Sequence, residues 1–296
     1  MILVTGATGN VGAELLKRLV ERGQPVRAFV RDPKRAARRL APGVELFAGD
    51  FRDASTFLPA LGGVDRLFLL IPSSPNVERQ QKDFVDAAKQ GKVRQIVKLS
   101  QLGANEHARG RFPRYHGAVE NYILKSGIRY TFLRPNLFMQ GLLNFATTIS
   151  SDGALFAPIG NARVSVVDVR DIAAVAASVL TEAGHEGKAY DLTGPESLTH
   201  AEMATKLSRA LGKPIAHIDI PPVAMKEALL SLGMPQWQAE GVVEDYDQYR
   251  DGEAARTTST VEDITRAAPH SFAQFAKDYA AAFLGLIRTV GRDSRS

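Results

Sequence analysis

The first half of the chain alternates short β-branched apolar runs with stretches whose apolar residues recur at helical spacing. Strands are predicted at Ile2–Thr5, Val26–Val30, Val44–Ala48, Arg66–Ile71, Gln95–Ser100 and Tyr130–Arg134. Between them, Val11–Arg22 places Val11, Leu15, Leu16 and Leu19 on one stripe and stops at Gly23. Asn76–Gln90 and Tyr115–Lys125 read as helices of the same kind, the latter ending before Ser126-Gly127. Strand–helix units of roughly 25–35 residues predict right-handed βαβ crossovers, hence an α/β fold with a doubly wound parallel sheet covered on both faces. After Arg134 the pattern loosens, and seven prolines from Pro135 to Pro235 punctuate shorter elements. These are a strand at Arg163–Val167, a helix at Asp171–Leu180, a strand at Lys188–Leu192, a helix at His200–Leu211 and a strand at Ile215–Ile220. No clean linker separates the halves. The expectation is one domain over residues 1–150, with returning segments near 163–192, and a smaller interleaved α/β substrate lobe over 193–296.

The first strand runs into Thr5-Gly6-Ala7-Thr8-Gly9-Asn10-Val11-Gly12, a G-x-x-G-x-x-G turn that opens the first helix. In this context the first glycine permits the tight turn, the second lets backbone approach a pyrophosphate, and the third allows close helix–strand packing, while the helix N-terminus offers free N–H groups. The lobe over 1–150 is therefore expected to be a Rossmann-type NAD(P)-binding domain, with Gly6, Thr8, Gly9, Asn10, Val11 and Gly12 as its phosphate cradle. Gly12 is followed by Ala13-Glu14, so this is not a Lys-Ser/Thr phosphate loop. About 20 residues on, where an acidic side chain would take a ribose 2′-hydroxyl, the second strand ends in Arg31, with Lys34 and Arg35 beyond. A guanidinium fork suits a 2′-phosphate, which favours NADPH. Asp32 beside it keeps NADH as the weaker alternative.

Composition narrows the classes. The 296 residues are 45% apolar, with 25 glycines and 15 prolines, an ordinary globular balance. With no cysteine, disulfides, thiolate metal sites, iron–sulfur clusters and cysteine nucleophiles drop out together, leaving a bound cofactor as the redox agent. Apolar runs such as Leu67–Ile71 are far below the ~18 residues of a spanning helix, and the opening Met1–Thr5 lacks a basic n-region, so the expected place is the cytoplasm, with no membrane partner. The net charge of +5 hints at nucleic acid, but its distribution argues otherwise. Six basic residues between Arg27 and Arg39 coincide with the expected 2′-phosphate site, and eight acids between Gln236 and Asp263 offset them.

The TGATGNVG turn, Arg31 in VRAFVRDPKR, Gly49-Asp50, the run Thr131–Asn136 and the segment Val166–Ala173 together resemble the NmrA-like branch of the atypical short-chain dehydrogenase/reductases, over nearly the whole chain. The resemblance implies that Asp50 and Phe51 flank the adenine, Ile71 and Pro72 pass the nicotinamide ribose, and Pro135, Asn136 and Phe138 line the nicotinamide. The wider superfamily uses a Tyr-x-x-x-Lys pair for proton exchange. It is missing here: Tyr115 is followed four residues later by Val119. Aligned on Glu120, the Lys place falls on His116 and the Tyr place on Phe112, and the resulting HGAVE is similar to the triphenylmethane, quinone and azo reductases of the branch. The implied function is NADPH-dependent hydride transfer to a conjugated aromatic acceptor, a quinone, an azo compound or an aromatic polyketide ketone. Its alternative is a non-catalytic NAD(P)-binding redox sensor of the NmrA type. Hydride addition to such acceptors leaves a delocalised anion, so positioning contributes more than a strong acid. His116 is the candidate proton donor or substrate anchor, against the alternative of an exposed helix histidine without a role. Ser100 and Gln101 are candidate hydrogen-bonding partners of the acceptor, and Tyr115 is a weaker candidate.

The remaining features are expected to be structural. The six histidines lack metal-ligand spacing, so no metal is expected, and Asp168 with Asp171 reads as a helix cap. Phe138, Met139, Phe145, Phe156, Met225, Met234 and Trp237 are candidates for an apolar pocket wall, with Pro221–Asp251 as a lid. The expected state is a monomer or homodimer with a small aromatic or quinone-like substrate and no nucleic-acid partner.

Overall fold

Residues 1–286 are described by the structure, a computed structural model. Seven strands form one sheet, and the first six are β1 (Ile2–Val4), β2 (Val26–Val30), β3 (Glu45–Ala48), β4 (Arg66–Leu69), β5 (Gln95–Leu99) and β6 (Arg129–Pro135). The seventh is Lys188–Leu192, and the spatial order is β3-β2-β1-β4-β5-β6 with the seventh strand outside β6. The pairs among the first six strands are all parallel. Crossovers to both sides of β1 create the switch point at which open α/β sheets place ligands, and the glycine turn stands there. This is the doubly wound Rossmann-type sheet that the hydrophobic pattern predicts. The central strands β1, β4 and β5 are buried nearly throughout, which is why their sequences run apolar rather than alternating.

The chain divides into two compact units. The first comprises residues 1–108, 112–134 and 172–191, and holds the sheet up to Arg134 with most of the seventh strand. Phe29 of β2, Phe57 and Phe84 are buried in its core and half-buried Phe51 packs with them, the four ring centroids lying 4.7–6.3 Å apart. The second unit comprises residues 109–111, 135–171 and 192 onward. It contains two two-stranded sheets, Arg163–Val164 with Leu198–Thr199 and Ala154–Ala157 with Ala216–Asp219, and helices including His200–Leu211, Pro222–Ser231 and Gln236–Arg250.

In the second unit Met139 and Met225 lie within the core, and Phe145 and Met234 are partly buried against it. The acid-rich stretch is a clamp for two arginines: Arg111 donates to Glu240 (3.0 Å) and Glu244 (2.6 Å), and Arg109 pairs with Asp251. Asp168 caps as expected, accepting from the backbone N–H of Arg170 at 2.8 Å, while Asp171 accepts from His270 at 2.6 Å.

Candidate functional site

At the end of β1 the Thr5 hydroxyl oxygen lies 3.0 Å from the carbonyl oxygens of both Phe68 and Leu70 and accepts from Leu70 N–H at 2.8 Å. This pins β1 to β4 where the turn begins. Gly6 has φ of +61°, and an added Cβ there would lie 2.8 Å from the Leu70 carbonyl oxygen. A Cβ on Gly12 would lie 2.3 Å from the Gly6 carbonyl oxygen, so the helix can seat against the turn only without a side chain. Thr8, Gly9 and Asn10 are exposed, and the helix Asn10–Glu21 has neither a side-chain cap nor an acid in its first turn. Its N–H groups are left for an external anion, which is what a pyrophosphate requires. Gly12→Ala is expected to weaken dinucleotide binding by at least about 100-fold by displacing the turn, read by NADPH fluorescence titration.

Arg31, Lys34 and Arg35 are exposed around the end of β2. Asp32 is exposed as well, and its carboxylate accepts from the backbone N–H of Arg35 and caps the helix Pro33–Ala37. Asp50 is likewise engaged, gripped by the Arg52 guanidinium at 2.6 Å, which holds its carboxyl below the usual range. Phe51 is half-buried and supported by Phe29 at 5.1 Å. Ile71 is buried and Pro72 exposed in the loop after β4. Pro135, Asn136 and Phe138 belong to the second unit. There the amide of Asn136 donates to Ser165 Oγ (2.8 Å) and to the Ala254 carbonyl (2.9 Å), so both its hydrogens are taken. Phe138 bridges to Val167.

The chemically richest cluster of the first unit joins β5, β6 and the helix Arg111–Ser126. That helix starts four residues before the predicted Tyr115, because Pro113 is tolerated in its first turn and the Arg111 N–H is satisfied by the Glu244 carboxylate at 2.8 Å. Its buried face carries Phe112, His116 and Glu120 at i, i+4 spacing. Gly117 lets the loop close over this face, since a Cβ would stand 2.3 Å from the backbone of Asn105. Glu120, 3% exposed, accepts from Ser100 Oγ at 2.5 Å and from the Arg134 guanidinium, with Nε at 3.0 Å. The Ser100 hydroxyl hydrogen is thus directed at Glu120, which leaves its oxygen able to accept only. Gln101 is half-buried, its carbonyl accepting from Ala104 N–H.

His116 is buried, which overturns the exposed-helix alternative. Its ring packs against that of Tyr115 at a tilt of 33° with centroids 4.2 Å apart, and the Tyr115 hydroxyl reaches Ser73 Oγ at 3.2 Å. Its Nδ1 lies 2.7 Å from Nζ of Lys98, a fully buried lysine on β5 that the sequence reading passed over. Burial pushes Lys98 down to about 7, with the Glu120 charge opposing and the Arg134 charge adding to the fall. Burial, reinforced by Lys98, holds His116 well below the ordinary imidazole range, so the ring is neutral near pH 7. Among the described residues no group of three or more metal-ligating side chains comes together, and no helix is long and apolar enough to cross a membrane.

The model of the NmrA-like family matches residues 1–272. The chain belongs to the NmrA-like family. It is 38% identical to an NAD(P)H azoreductase of Xenophilus azovorans, over 96% of this chain and 99% of that one. Among solved structures, it is similar to an NADPH-dependent quinone oxidoreductase of Escherichia coli complexed with NADPH, with a TM-score of 0.86 and 27% identity over 94% of this chain and 99% of the other. It is also similar to the triphenylmethane reductase of Citrobacter sp. complexed with NADP(H), with a TM-score of 0.84 and 29% identity over 95% and 100% of the two chains. Within this family fold, the glycine turn and the Lys98–His116–Glu120 cluster both belong to the first unit.

Proposed function

We propose that this NmrA-like protein is an NADPH-dependent reductase that transfers hydride to a conjugated aromatic acceptor of the quinone or azo class. The observation that carries the cofactor assignment is the charge around the end of β2. Asp32 and Asp50 are both engaged by groups of the chain itself, while Arg31, Lys34 and Arg35 stand exposed beside them. A 2′-phosphate meets three basic side chains there. The bound nicotinamide supplies the hydride. The chain contributes the backbone cradle of Gly6–Gly12, an adenine flank at Asp50 and Phe51, and His116 as a neutral donor. Glu120 orients β5, β6 and the His116 helix by accepting from Ser100 and Arg134. An azo, a quinone and a triphenylmethane reductase among the relatives support an acceptor with an extended conjugated system.

Purified protein is expected to consume NADPH with a panel of quinones and azo dyes, followed at the reduced-nicotinamide absorbance. Tight NADPH binding without turnover on any of them would favour the redox-sensor reading and remove this one. Arg31→Asp is expected to lower the NADPH-to-NADH preference by about 10-fold or more, the worth of one charge-assisted phosphate contact. An unchanged ratio of dissociation constants would place the 2′-phosphate elsewhere.

A further inference from the structure

The placement of Lys98 is costly. It sits on a central strand with 0% exposure, where an apolar side chain of similar volume would avoid the desolvation of an ammonium. Its Nζ makes two contacts: the Leu99 carbonyl oxygen at 3.1 Å and His116 Nδ1 at 2.7 Å. The charged groups around it are Glu120 on the facing helix and Arg134 on β6, which pair with each other, so the net charge of the cluster follows Lys98 itself. An ammonium has no lone pair. While Lys98 is protonated, Nδ1 must therefore accept and the neutral ring must carry its hydrogen on Nε2. Among the described residues the only hydrogen bond of that ring is the one to Lys98.

We propose that Lys98 and His116 form a proton relay in which Lys98 is the reservoir and His116 the group that delivers, an inference resting on the reductase reading. The Nε2–H bond breaks as a new N–H or O–H bond forms on the anion left by hydride addition. In the same step Nδ1 takes a proton from Nζ. The imidazole stays neutral with its tautomer exchanged, Lys98 becomes an amine, and no electrons leave the pair. Once the product has left, Nε2 takes a proton from water and Nδ1–H returns its own to Nζ, so the buried lysine needs no separate path to solvent. The relay removes an obstacle that His116 alone would face: a neutral imidazole that gives up Nε2–H without replacement becomes an imidazolate. The demand differs between acceptors. Both anions are delocalised, but the nitrogen anion formed from an azo bond is far the more basic and draws on a proton donor more strongly, whereas the oxyanion of a reduced quinone can leave unprotonated.

The test compares wild type with Lys98→Met. In the apo protein, the 15N resonance of His116 Nδ1, assigned with His116→Asn, is expected to move with a midpoint near pH 7 as Lys98 titrates, and to be flat from pH 6 to 8 in Lys98→Met. In single turnovers with NADPH, Lys98→Met is expected to slow azo reduction about 100-fold, the usual worth of a general acid, and quinone reduction less than about 3-fold. In wild type alone, the azo rate is expected to fall above pH 7 while the quinone rate stays level, a measurement that needs no variant to fold. An azo rate in Lys98→Met within about 3-fold of wild type, or parallel azo and quinone pH profiles in wild type, overturns the relay and leaves the reductase reading in place. A wild type that binds NADPH and reduces neither acceptor overturns the reductase reading instead, while the His116 resonance still reports the pair.

Discussion

Replacing Glu120 with alanine is expected to destabilise the protein by roughly 3–5 kcal/mol, the range found when one partner of a buried ion pair is removed. Glu120 is 3% exposed and is the common acceptor for groups from two strands, Ser100 after β5 and Arg134 on β6. Its loss leaves a half-buried guanidinium and a buried hydroxyl without an acceptor, and removes the negative charge that opposes the neutralisation of Lys98. Urea denaturation followed by circular dichroism measures the cost. Glu120→Gln should lie between the two, because the amide oxygen still accepts from Ser100 while the charge is gone. The double variant Glu120→Ala, Lys98→Met should recover part of the loss, since it no longer buries a lysine without a counter-charge. A Glu120→Ala protein within about 1 kcal/mol of wild type would mean that the network contributes no more than a surface pair.

Much of the first unit was legible in the sequence because its signals are local. The apolar runs place the strands to within a few residues, and the glycine turn follows from steric demands that only Gly6 and Gly12 meet. The second unit was less legible: Met139 and Met225 lie in its core and Phe145 and Met234 pack against it, residues whose apolar character does not tell a core from a pocket wall. The eight acids read as bulk charge, and only the folded chain shows Arg109 and Arg111 among them. His116 was visible through the spacing to Glu120, but its partner was not, since Lys98 lies 18 residues away on another element. A signal was nevertheless present. In Gln95–Ser100, period-two alternation puts Lys98 on the same face as Ile96 and Ser100 of a strand expected to be covered on both sides, and a lysine there has to find a partner.

Acidification is expected to destabilise the second unit through His200, by about 2 kcal/mol between pH 6.5 and pH 5. His200 has 0% exposure at the start of the helix His200–Leu211, and its Nδ1 is buried without a hydrogen-bond partner. The nearest polar contact of the ring is the Tyr246 hydroxyl, 3.5 Å from Nε2, and the ring of His217 lies 5.4 Å away. Burial, with the His217 charge adding, pushes His200 down to about 3. The folded ring thus stays neutral below pH 6.5 while the unfolded chain takes up a proton there. The unfolded state then binds more protons, and stability falls by about 1.4 kcal/mol for each pH unit from 6.5 down to about 3, being fully present only above 6.5. Trp237, the only tryptophan, lies in this unit, so its fluorescence in urea follows the relevant transition. His200→Phe keeps a ring against Tyr246 and cannot titrate, so its midpoint should lose most of this acid slope. An identical slope in His200→Phe and wild type would transfer the acid sensitivity to other groups.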